Sequence, residues 1–249
     1  MALVSIVTLA FNAARFVTET IASVRAQTHA DWEMLVVDDC SCDDTAATVE
    51  SVAAIDARVR LIRHTSNGGP ARARQTAIDA AGGRYIAFLD SDDLWLPEKL
   101  ERQLAFQTER RAALTFTEFR RIDADAAKTG RLIRVPDQLR YQDLLCNTAI
   151  ATSTVIVDRE LAGPLRMAQT YYDDFALWLD ILRRGFVAHG LAADLMRYRV
   201  LGKSVSRNKV RSARMVWRVY RDVERLSTSA AAWCFARYAV NATLKYRAF

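Results

Sequence analysis

Short apolar runs alternate with stretches of helical spacing over the first hundred residues. The runs have the length of β-strands and are Val4–Leu9, Met34–Val37, Val59–Ile62 and Tyr85–Leu89. Between them, apolar residues recur three to four positions apart, as in the segments of about Thr45–Ala54 and Ala71–Ala81. Strands that alternate with helices predict an α/β fold, with a mainly parallel sheet flanked by helices.

The rest of the chain continues this pattern less regularly. Further elements are predicted as strands at Leu114–Phe116 and Thr154–Val157, a short helix at Tyr141–Leu145, and an acidic turn that enters a helix within Tyr171–Arg184. Two helical stretches, roughly Ser204–Leu226 and Ser229–Tyr246, close the chain. We therefore expect an α/β domain over residues 1–200 and a basic, amphipathic helical extension over residues 201–249.

Positive charge is concentrated in the extension. The chain has 249 residues and a net charge of +6, but residues 197–249 contain 13 Lys and Arg against 2 acidic residues. Aromatic residues such as Trp217 and Trp233 lie among these basic residues. A basic amphipathic helix is typical of a protein that contacts anionic lipid or nucleic acid. The alternative is that these helices pack on the domain and expose an arginine-rich face to solvent.

Composition excludes several classes of protein. A chain that is 51% hydrophobic and has 9 Gly and 4 Pro is neither disordered nor collagen-like. No window reaches the ~18–20 uninterrupted apolar residues of a membrane-spanning helix, and the start does not have the pattern of a signal peptide. The 4 Cys are spaced too irregularly for a disulfide framework. We expect reduced thiols and a cytoplasmic location.

Polar residues follow each of the first four predicted strands. They are Ala10-Phe11-Asn12, Asp38-Asp39, the segment His64–Pro70, and Asp90-Ser91-Asp92-Asp93. In open α/β sheets ligands bind beyond the carboxyl ends of the strands. Three carboxylates within four residues repel one another unless a cation shares them, and hard oxygen ligands suit Mg²⁺ or Mn²⁺. The alternative is an acidic turn in which Asp93 caps a helix that begins near Pro97.

In order and spacing, these motifs resemble the family 2 inverting glycosyltransferases of the GT-A fold, which include bacterial enzymes of surface-polysaccharide synthesis. The matching segments are Ser5–Asn12, Val36–Asp39 with Ser41 and Asp43–Thr45, Asn67–Gly69 with Ala73-Arg74, Tyr85–Asp93, Tyr172–Trp178 and Tyr198–Val200 with Ser204, Ser206 and Asn208-Lys209. The resemblance implies a Rossmann-like GT-A domain. The chain departs from the family pattern at Gln75, Ala77, Asp173 and Ala176, which leaves the identity of the donor open.

The resemblance also implies a role for each matching residue. The nucleotide-sugar would contact Thr8, Ala10, Phe11, Asn12, Asp39, Asn67, Arg74, Asp90 and Ser91, and the first four of these would line the nucleoside pocket. Asp90 and Asp92 would hold Mg²⁺ or Mn²⁺ on the donor diphosphate, and Asp174 would be the catalytic base. Asp173, Trp178, Ser204 and Arg207 would lie on the acceptor side.

The implied activity is transfer of a sugar with inversion from a nucleotide-diphosphate sugar to a saccharide or polyprenyl-linked acceptor. UDP is the expected nucleotide. If the basic extension contacts an anionic membrane surface, the enzyme would be peripheral on the cytoplasmic face of the inner membrane, and no nucleic-acid partner is expected. Two alternatives are a sugar-nucleotide pyrophosphorylase and a basic nucleic-acid-binding protein. A pyrophosphorylase would have a Gly-rich, basic phosphate loop after the first strand, where this chain has Ala10–Ala13, and a nucleic-acid-binding protein would not explain the four strand-end motifs.

Overall fold

The computed structural model describes residues 2–147, 149–170, 172–201 and 209–245, with side chains in the last range from 212 to 241. The strands in these ranges are β1 (Val4–Ala10), β2 (Trp32–Asp38), β3 (Val59–Arg63), β4 (Tyr85–Phe88), β5 (Leu94–Trp95), β6 (Leu114–Ile122), β7 (Thr129–Ile133), β8 (Gln138–Leu139), β9 (Ile156–Asp158) and β10 (Ala188–Arg199). The helices are α1 (Val17–Arg25), α2 (Thr45–Ala53), α3 (Pro70–Ala80), α4 (Lys99–Arg110), α5 (Tyr141–Leu145), α6 (Arg159–Ala162), α7 (Asp173–Arg183), α8 (Lys209–Arg218) and α9 (Thr228–Lys245). A 3₁₀ turn at Thr152–Thr154 precedes β9, and a π-helical turn at Val219–Val223 follows α8.

The strands form one mixed sheet, and its first half confirms the predicted α/β pattern. The order is β3-β2-β1-β4-β9-β6-β10-β5, with β7 beside β6 and β8 beside β10. β3, β2, β1 and β4 run parallel, so that Ala10 pairs with Asp38 and Val7 with Phe88. Parallel neighbours need crossover connections, which α1, α2 and α3 provide. The carboxyl ends of these strands therefore lie at one edge of the sheet.

The second half of the sheet departs from the sequence prediction. β9 is antiparallel to both β4 and β6, and it begins at Ile156 because the residues before it form the 3₁₀ turn. β10, which is 12 residues long and lies parallel to β6, is absent from the prediction. Charged residues such as Asp194 and Arg197 interrupt its apolar positions, so the sequence lacks the regular alternation that predicts a strand.

Two hydrophobic layers cover the two faces of the sheet. Alternate residues of β1 enter different layers: Val7 packs in the layer that contains α3 and α7, whereas Ile6 packs in the layer that contains α1. α7 begins at Asp173 and buries Leu177, Leu179 and Ile181 in the first layer. The helix predicted after the acidic turn is thus confirmed.

The C-terminal helices extend the first layer. Val216, Tyr220 and Ala231 are fully buried in the same cluster as Phe175 and Leu145. The Tyr220 hydroxyl donates to the carbonyl of Leu145. The described part of the extension therefore packs on the α/β domain, as one of the two alternatives predicted, while the boundary at residue 200 stays a prediction.

A buried glutamate fastens the extension to two helices of the domain. Glu224 Oε2 accepts from the Tyr141 hydroxyl at 2.6 Å and from Arg183 Nη1 at 3.1 Å. Burial and the neighbouring Glu224 raise the pKa of Tyr141, so its hydroxyl keeps its proton and remains a donor.

None of the helices within the described residues combines the length and the apolar character that a membrane-spanning helix requires.

Candidate active site

Asp39 organises the loops that follow β2 and β3. Its carboxylate accepts from the amide of Gly68 at 2.9 Å, the amide of Gly69 at 2.7 Å and His64 Nδ1 at 2.7 Å. Burial alone would raise the pKa of Asp39, but these hydrogen bonds outweigh it and hold the pKa below its ordinary value. Asn67 adds a hydrogen bond from its side-chain amide to the Asp39 carbonyl at 3.1 Å.

These contacts fix the Gly-rich turn that precedes α3. The Asp39 carboxylate is the anion that accepts hydrogen bonds from the amides of Gly68 and Gly69. Gly69 adopts φ +80°, a conformation that glycine reaches without the steric cost of a side chain.

The residues after β1 divide into buried and exposed groups. Thr8 and Ala10 are completely buried in the sheet, so neither presents surface to a ligand, and their assignment to the nucleoside pocket is wrong. Phe11 and Asn12 are exposed at the strand end. Asn12 holds a left-handed backbone conformation, and its side-chain oxygen accepts from the amide of Cys42 at 2.9 Å. The exposed pair is thereby attached to the loop that follows Asp39.

Arg74 links the acidic turn after β4 to the start of α7. Its Nη2 donates to Asp90 Oδ1 at 2.7 Å, and its Nη1 lies 2.9 Å from both carboxylate oxygens of Asp173. Burial lowers the pKa of Arg74, but the charges of Asp173, Asp90 and Asp174 more than compensate and raise it. A guanidinium in this position stays charged and joins the acidic turn after β4 to the first turn of α7.

Asp173 is not an acceptor-side residue. Its side chain is 1% exposed and faces Arg74, so it cannot contact a bound acceptor, and that expectation is wrong. Burial raises the pKa of Asp173 to about 6, with the charge of Asp174 adding to the effect and Arg74 opposing it. The residue serves to hold Arg74.

The acidic turn holds one buried and two partly exposed carboxylates. Asp93 Oδ2 accepts from the Ser153 hydroxyl at 2.6 Å, and Oδ1 accepts from the amide of Arg199 at 2.8 Å. Burial, followed by the charges of Asp92 and Asp90, raises the pKa of Asp93 well above its ordinary value. Asp93 does not cap α4, which begins at Lys99.

Asp90 and Asp92 suit a divalent cation. Burial, with the charge of Asp90 as a smaller cause, raises the pKa of Asp92 to about 6. Within the described part of the chain, no group of three or more His, Cys, Asp or Glu is arranged to hold a metal ion. Two carboxylates nevertheless fit Mg²⁺ or Mn²⁺, because these ions complete their shell with water and phosphate oxygens. Ser91 lies between the two, and its carbonyl accepts from the Thr20 hydroxyl at 3.0 Å.

Asp174 occupies the first turn of α7, where the helix dipole favours a negative charge. It is partly exposed, unlike Asp173. Its Oδ1 accepts from the amide of Phe175 at 2.7 Å, and its Oδ2 accepts from the hydroxyl of Thr152. The structure thus places a partly exposed carboxylate near the Arg74 cluster.

The remaining acceptor-side residues are not confirmed. Trp178 is 1% exposed and packs edge-on against Phe88 with ring centroids 5.0 Å apart, so its assignment to the acceptor side is wrong. Its apolar ring fills the core between α7 and the sheet. Ser204 and Arg207 lie outside the described residues.

The sequence assigned no individual role to three residues that contact the site. Thr152 and Ser153 come from the 3₁₀ turn and contact Asp174 and Asp93. Arg199, at the end of β10, is buried and donates from Nε to the carbonyl of Asp92 at 2.8 Å and from Nη2 to Glu19 at 2.6 Å. The run of hydroxyls at residues 152–154 was a signal for such a role, whereas nothing local marks Arg199 as a neighbour of Asp92.

Comparison with known proteins decides the family. The sequence profile described as "Glycosyl transferase family 2" matches residues 5–162. The chain belongs to this family. It is 42% identical to a protein named for teichuronic acid biosynthesis, glycosyltransferase TuaG of Bacillus subtilis, over 98% of this chain and 97% of the relative. Membership of this family argues against the two alternatives, a sugar-nucleotide pyrophosphorylase and a nucleic-acid-binding protein.

Other family 2 relatives carry more specific names. The chain is 35% identical to UDP-Glc:alpha-D-GlcNAc-diphosphoundecaprenol beta-1,3-glucosyltransferase WfgD of Escherichia coli, over 88% of this chain and 86% of the relative. Among solved structures, S. aureus TarS 1–349 in complex with UDP-GlcNAc superposes with a TM-score of 0.72 at 17% identity, covering 98% of this chain and 73% of that chain. The mannosyltransferase PcManGT of Pyrobaculum calidifontis, in complex with GDP-Man and Mn²⁺, gives the same TM-score and identity over 98% and 75%. These likenesses confirm the GT-A fold.

Proposed function

We propose that this glycosyltransferase transfers a sugar, with inversion, from a UDP-sugar to a saccharide or polyprenyl-diphosphate-linked acceptor in surface-polysaccharide synthesis. The proposal rests on two ion pairs of Arg74, one with Asp90 and one with Asp173. Together they join the acidic turn to the helix that bears Asp174. A donor diphosphate beside Asp90 and an acceptor hydroxyl beside Asp174 would then be neighbours. The acceptor class is supported by the name of the Escherichia coli relative.

Asp90 and Asp92 would hold Mg²⁺ or Mn²⁺ in the proposed enzyme. The bound ion would supply positive charge to the departing diphosphate. The exposed residues Phe11 and Asn12, at the end of β1, would contact the nucleoside, with Asp39 and Asn67 shaping the adjacent loop. Arg74, held by Asp173 and Asp90, would contribute its charge to the same region.

The proposed reaction is a single displacement at the anomeric carbon. Asp174 takes the proton from the acceptor hydroxyl while that oxygen forms the new glycosidic bond, and the bond to the diphosphate breaks. The electron pair of the broken bond leaves with the nucleoside diphosphate. No second carboxylate is needed as a nucleophile, because inversion proceeds without a glycosyl-enzyme intermediate.

We also propose that α9 contacts the cytoplasmic face of the inner membrane. Trp233 is 64% exposed and Val240 58% exposed, although the opposite side of the helix packs on the domain. The two residues are seven positions apart and share a face with Arg237, whose guanidinium lies 6.0 Å from the Trp233 ring. The helix lies within residues 197–249, whose net charge is +11, and an aromatic residue beside a basic one in such a segment is suited to anionic lipid.

The activity is tested by nucleotide release from a panel of UDP-, GDP-, dTDP- and CMP-sugars, with Mn²⁺ or Mg²⁺ and then with chelator, both with and without lipid-linked saccharide acceptors. Metal-dependent release from a UDP-sugar, abolished in Asp92→Ala and retained in Glu109→Gln, is expected. Glu109 is an exposed carboxylate on α4 and serves as the matched control. Release from another donor, or release that survives the chelator, would contradict the donor or the metal assignment respectively.

A further inference from the structure

The 3₁₀ turn Thr152–Thr154 lies between the two acidic motifs of the site. The Thr152 hydroxyl donates to Asp174 Oδ2. The next hydroxyl, that of Ser153, donates to Asp93 Oδ2 at 2.6 Å and accepts from the amide of Asp90 at 3.0 Å. Two consecutive side chains therefore connect α7 on one side with the acidic turn after β4 on the other.

The turn is itself firmly held. The Trp95 indole donates to the Ser153 carbonyl at 2.7 Å, and the side-chain amide of Gln103 donates to the Thr154 carbonyl at 2.9 Å. Ser153 and Thr154 are buried. The acidic groups thus receive hydrogen bonds from a support fixed by β5 and α4, rather than from a mobile surface loop.

The Asp174 contact has a direct chemical consequence. A base works only when its accepting oxygen is oriented at the proton that it removes. Asp174 Oδ1 accepts a hydrogen bond from the Phe175 amide, and Oδ2 accepts one from the Thr152 hydroxyl. One donor on each side therefore fixes the plane of the carboxylate. Loss of the Thr152 hydroxyl would release one side and let the carboxylate rotate.

The Ser153 contacts act on a different group. The hydroxyl joins the backbone amide of Asp90 to the side chain of Asp93, which sets the path of the chain between them. Asp90 and Asp92, the proposed metal ligands, lie on that stretch of chain. Partners that orient metal ligands usually affect metal affinity when they are changed.

We propose that Thr152 and Ser153 are positioning residues with separate effects: Thr152 orients the base Asp174, and Ser153 shapes the metal-binding turn. The inference rests on the proposed function. It predicts that one turn controls two properties of the enzyme independently. Residue 152 affects the turnover number, and residue 153 affects the metal-dependent affinity for the donor.

Thr152→Val replaces the hydroxyl by a methyl group of nearly equal size. We expect kcat to fall by about 10- to 100-fold, the range typical of a misplaced catalytic group, with the KM for the donor and the melting temperature unchanged. Thr152→Ser, which retains the hydroxyl, should restore turnover. Thr154→Val is the matched control, because the Thr154 hydroxyl points back to the Ala151 carbonyl rather than into the site.

Ser153→Ala should weaken UDP binding in the presence of Mn²⁺ by about 10-fold, a magnitude typical of lost support to metal ligands. Binding is measured by calorimetry with UDP and Mn²⁺, which reports on the site without requiring turnover. Wild-type affinity in Ser153→Ala, or an equal loss in Thr152→Val, would overturn the separation of roles.

A double-mutant cycle tests whether Thr152 acts through Asp174. Thr152→Val should have little further effect on kcat in an Asp174→Asn background, because the group that it orients is already disabled. A full additional loss would overturn the proposal, as would a Thr152→Val enzyme with wild-type kcat. Failure of the proposed function is distinguishable, since the wild-type protein would then release no nucleotide from any donor.

Discussion

Arg74 and Asp173 form a buried ion pair in which one guanidinium nitrogen lies 2.9 Å from both carboxylate oxygens. The two residues are 99 positions apart and belong to α3 and α7. The second terminal nitrogen of Arg74 reaches Asp90 at 2.7 Å, so the pair is also the link between the acidic turn and the helix of Asp174. Its integrity is therefore expected to affect both stability and activity.

Arg74→Met should lower the free energy of unfolding by about 3–5 kcal/mol, because Asp173 would be left buried without a counter-charge. Arg72→Met, an exposed arginine on the same helix, is the matched control and should change stability by less than about 0.5 kcal/mol. Denaturant unfolding monitored by circular dichroism measures both. Equal stability of the two variants would show that the ion pair contributes nothing.

Asp174→Asn should reduce sugar transfer by at least ~100-fold, the low end of the contribution of a general base. The amide cannot accept the acceptor proton, while the donor site remains intact. UDP affinity measured by calorimetry should equal that of the wild type, and Glu109→Gln should retain full activity. Near-normal turnover in Asp174→Asn would remove this residue from the role of base.

The raised pKa of Asp92 gives a pH-dependent prediction for the metal-free protein. The folded-state pKa is about 6 against an ordinary value of 3.8, so the folded protein binds the proton more tightly than the unfolded chain does. The contribution of Asp92 to the free energy of unfolding therefore improves as pH falls through the folded-state pKa, from about 6 towards 3.8. Asp92→Asn mimics the protonated form, and it should be more stable than the wild type at pH 7 but lose this advantage as pH falls from about 6 towards 3.8.

Denaturant unfolding of both proteins in chelator, at pH 7 and at about pH 4, measures this effect. An advantage of Asp92→Asn that does not change with pH would argue against a raised pKa. Addition of UDP and Mn²⁺ at pH 7 should stabilise the wild type and not the variant, because ligands that bind the folded state stabilise it.

The membrane proposal is tested on the exposed face of α9 rather than by truncation. Deletion of the residues after Leu226 would remove the proposed lipid contacts, but it would also remove Ala231 and Cys234 from the core. Arg237→Gln should instead reduce binding to vesicles of anionic phosphatidylglycerol by about fivefold, from ~1 kcal/mol per basic residue at the surface. Trp233→Ser should reduce it further, with transfer to a soluble acceptor unchanged.

Sedimentation with phosphatidylglycerol vesicles measures this binding, and neutral phosphatidylcholine vesicles provide the reference. Arg102→Gln, a half-exposed arginine on α4, is the matched control. If Arg237→Gln and Arg102→Gln lower binding equally, the contact would be a general effect of net charge rather than a property of α9.

The strand-end positions of Asp39 and Asp90 were readable from the sequence because both residues follow strands at the expected spacing. A parallel sheet brings the carboxyl ends of its strands to one edge, so both residues could be placed at that edge without a structure. Thr8 and Trp178 match the family motifs but are buried, so motif membership alone does not decide which residues present a surface to a ligand.

The long-range partners could not be predicted. Asp173 pairs with an arginine from a distant helix, Ser153 reaches Asp93 over 60 positions, and Arg199 reaches the Asp92 carbonyl over 107. β10 was missed for a related reason: its polar residues break the apolar period, and pairing with β6 rather than local propensity makes it a strand.

By itself, the sequence determined the α/β order of the first hundred residues, the acidic turn at Asp90–Asp93 and the basic character of the extension, because periodicity, strand-end position and charge are local properties. Only the tertiary structure decided that Asp39 accepts hydrogen bonds from the turn before α3, that Asp173 binds Arg74, and that Thr152 donates to Asp174. Each of these contacts joins residues far apart in the chain, and packing of the sheet and its helices, not sequence spacing, brings them within hydrogen-bonding distance.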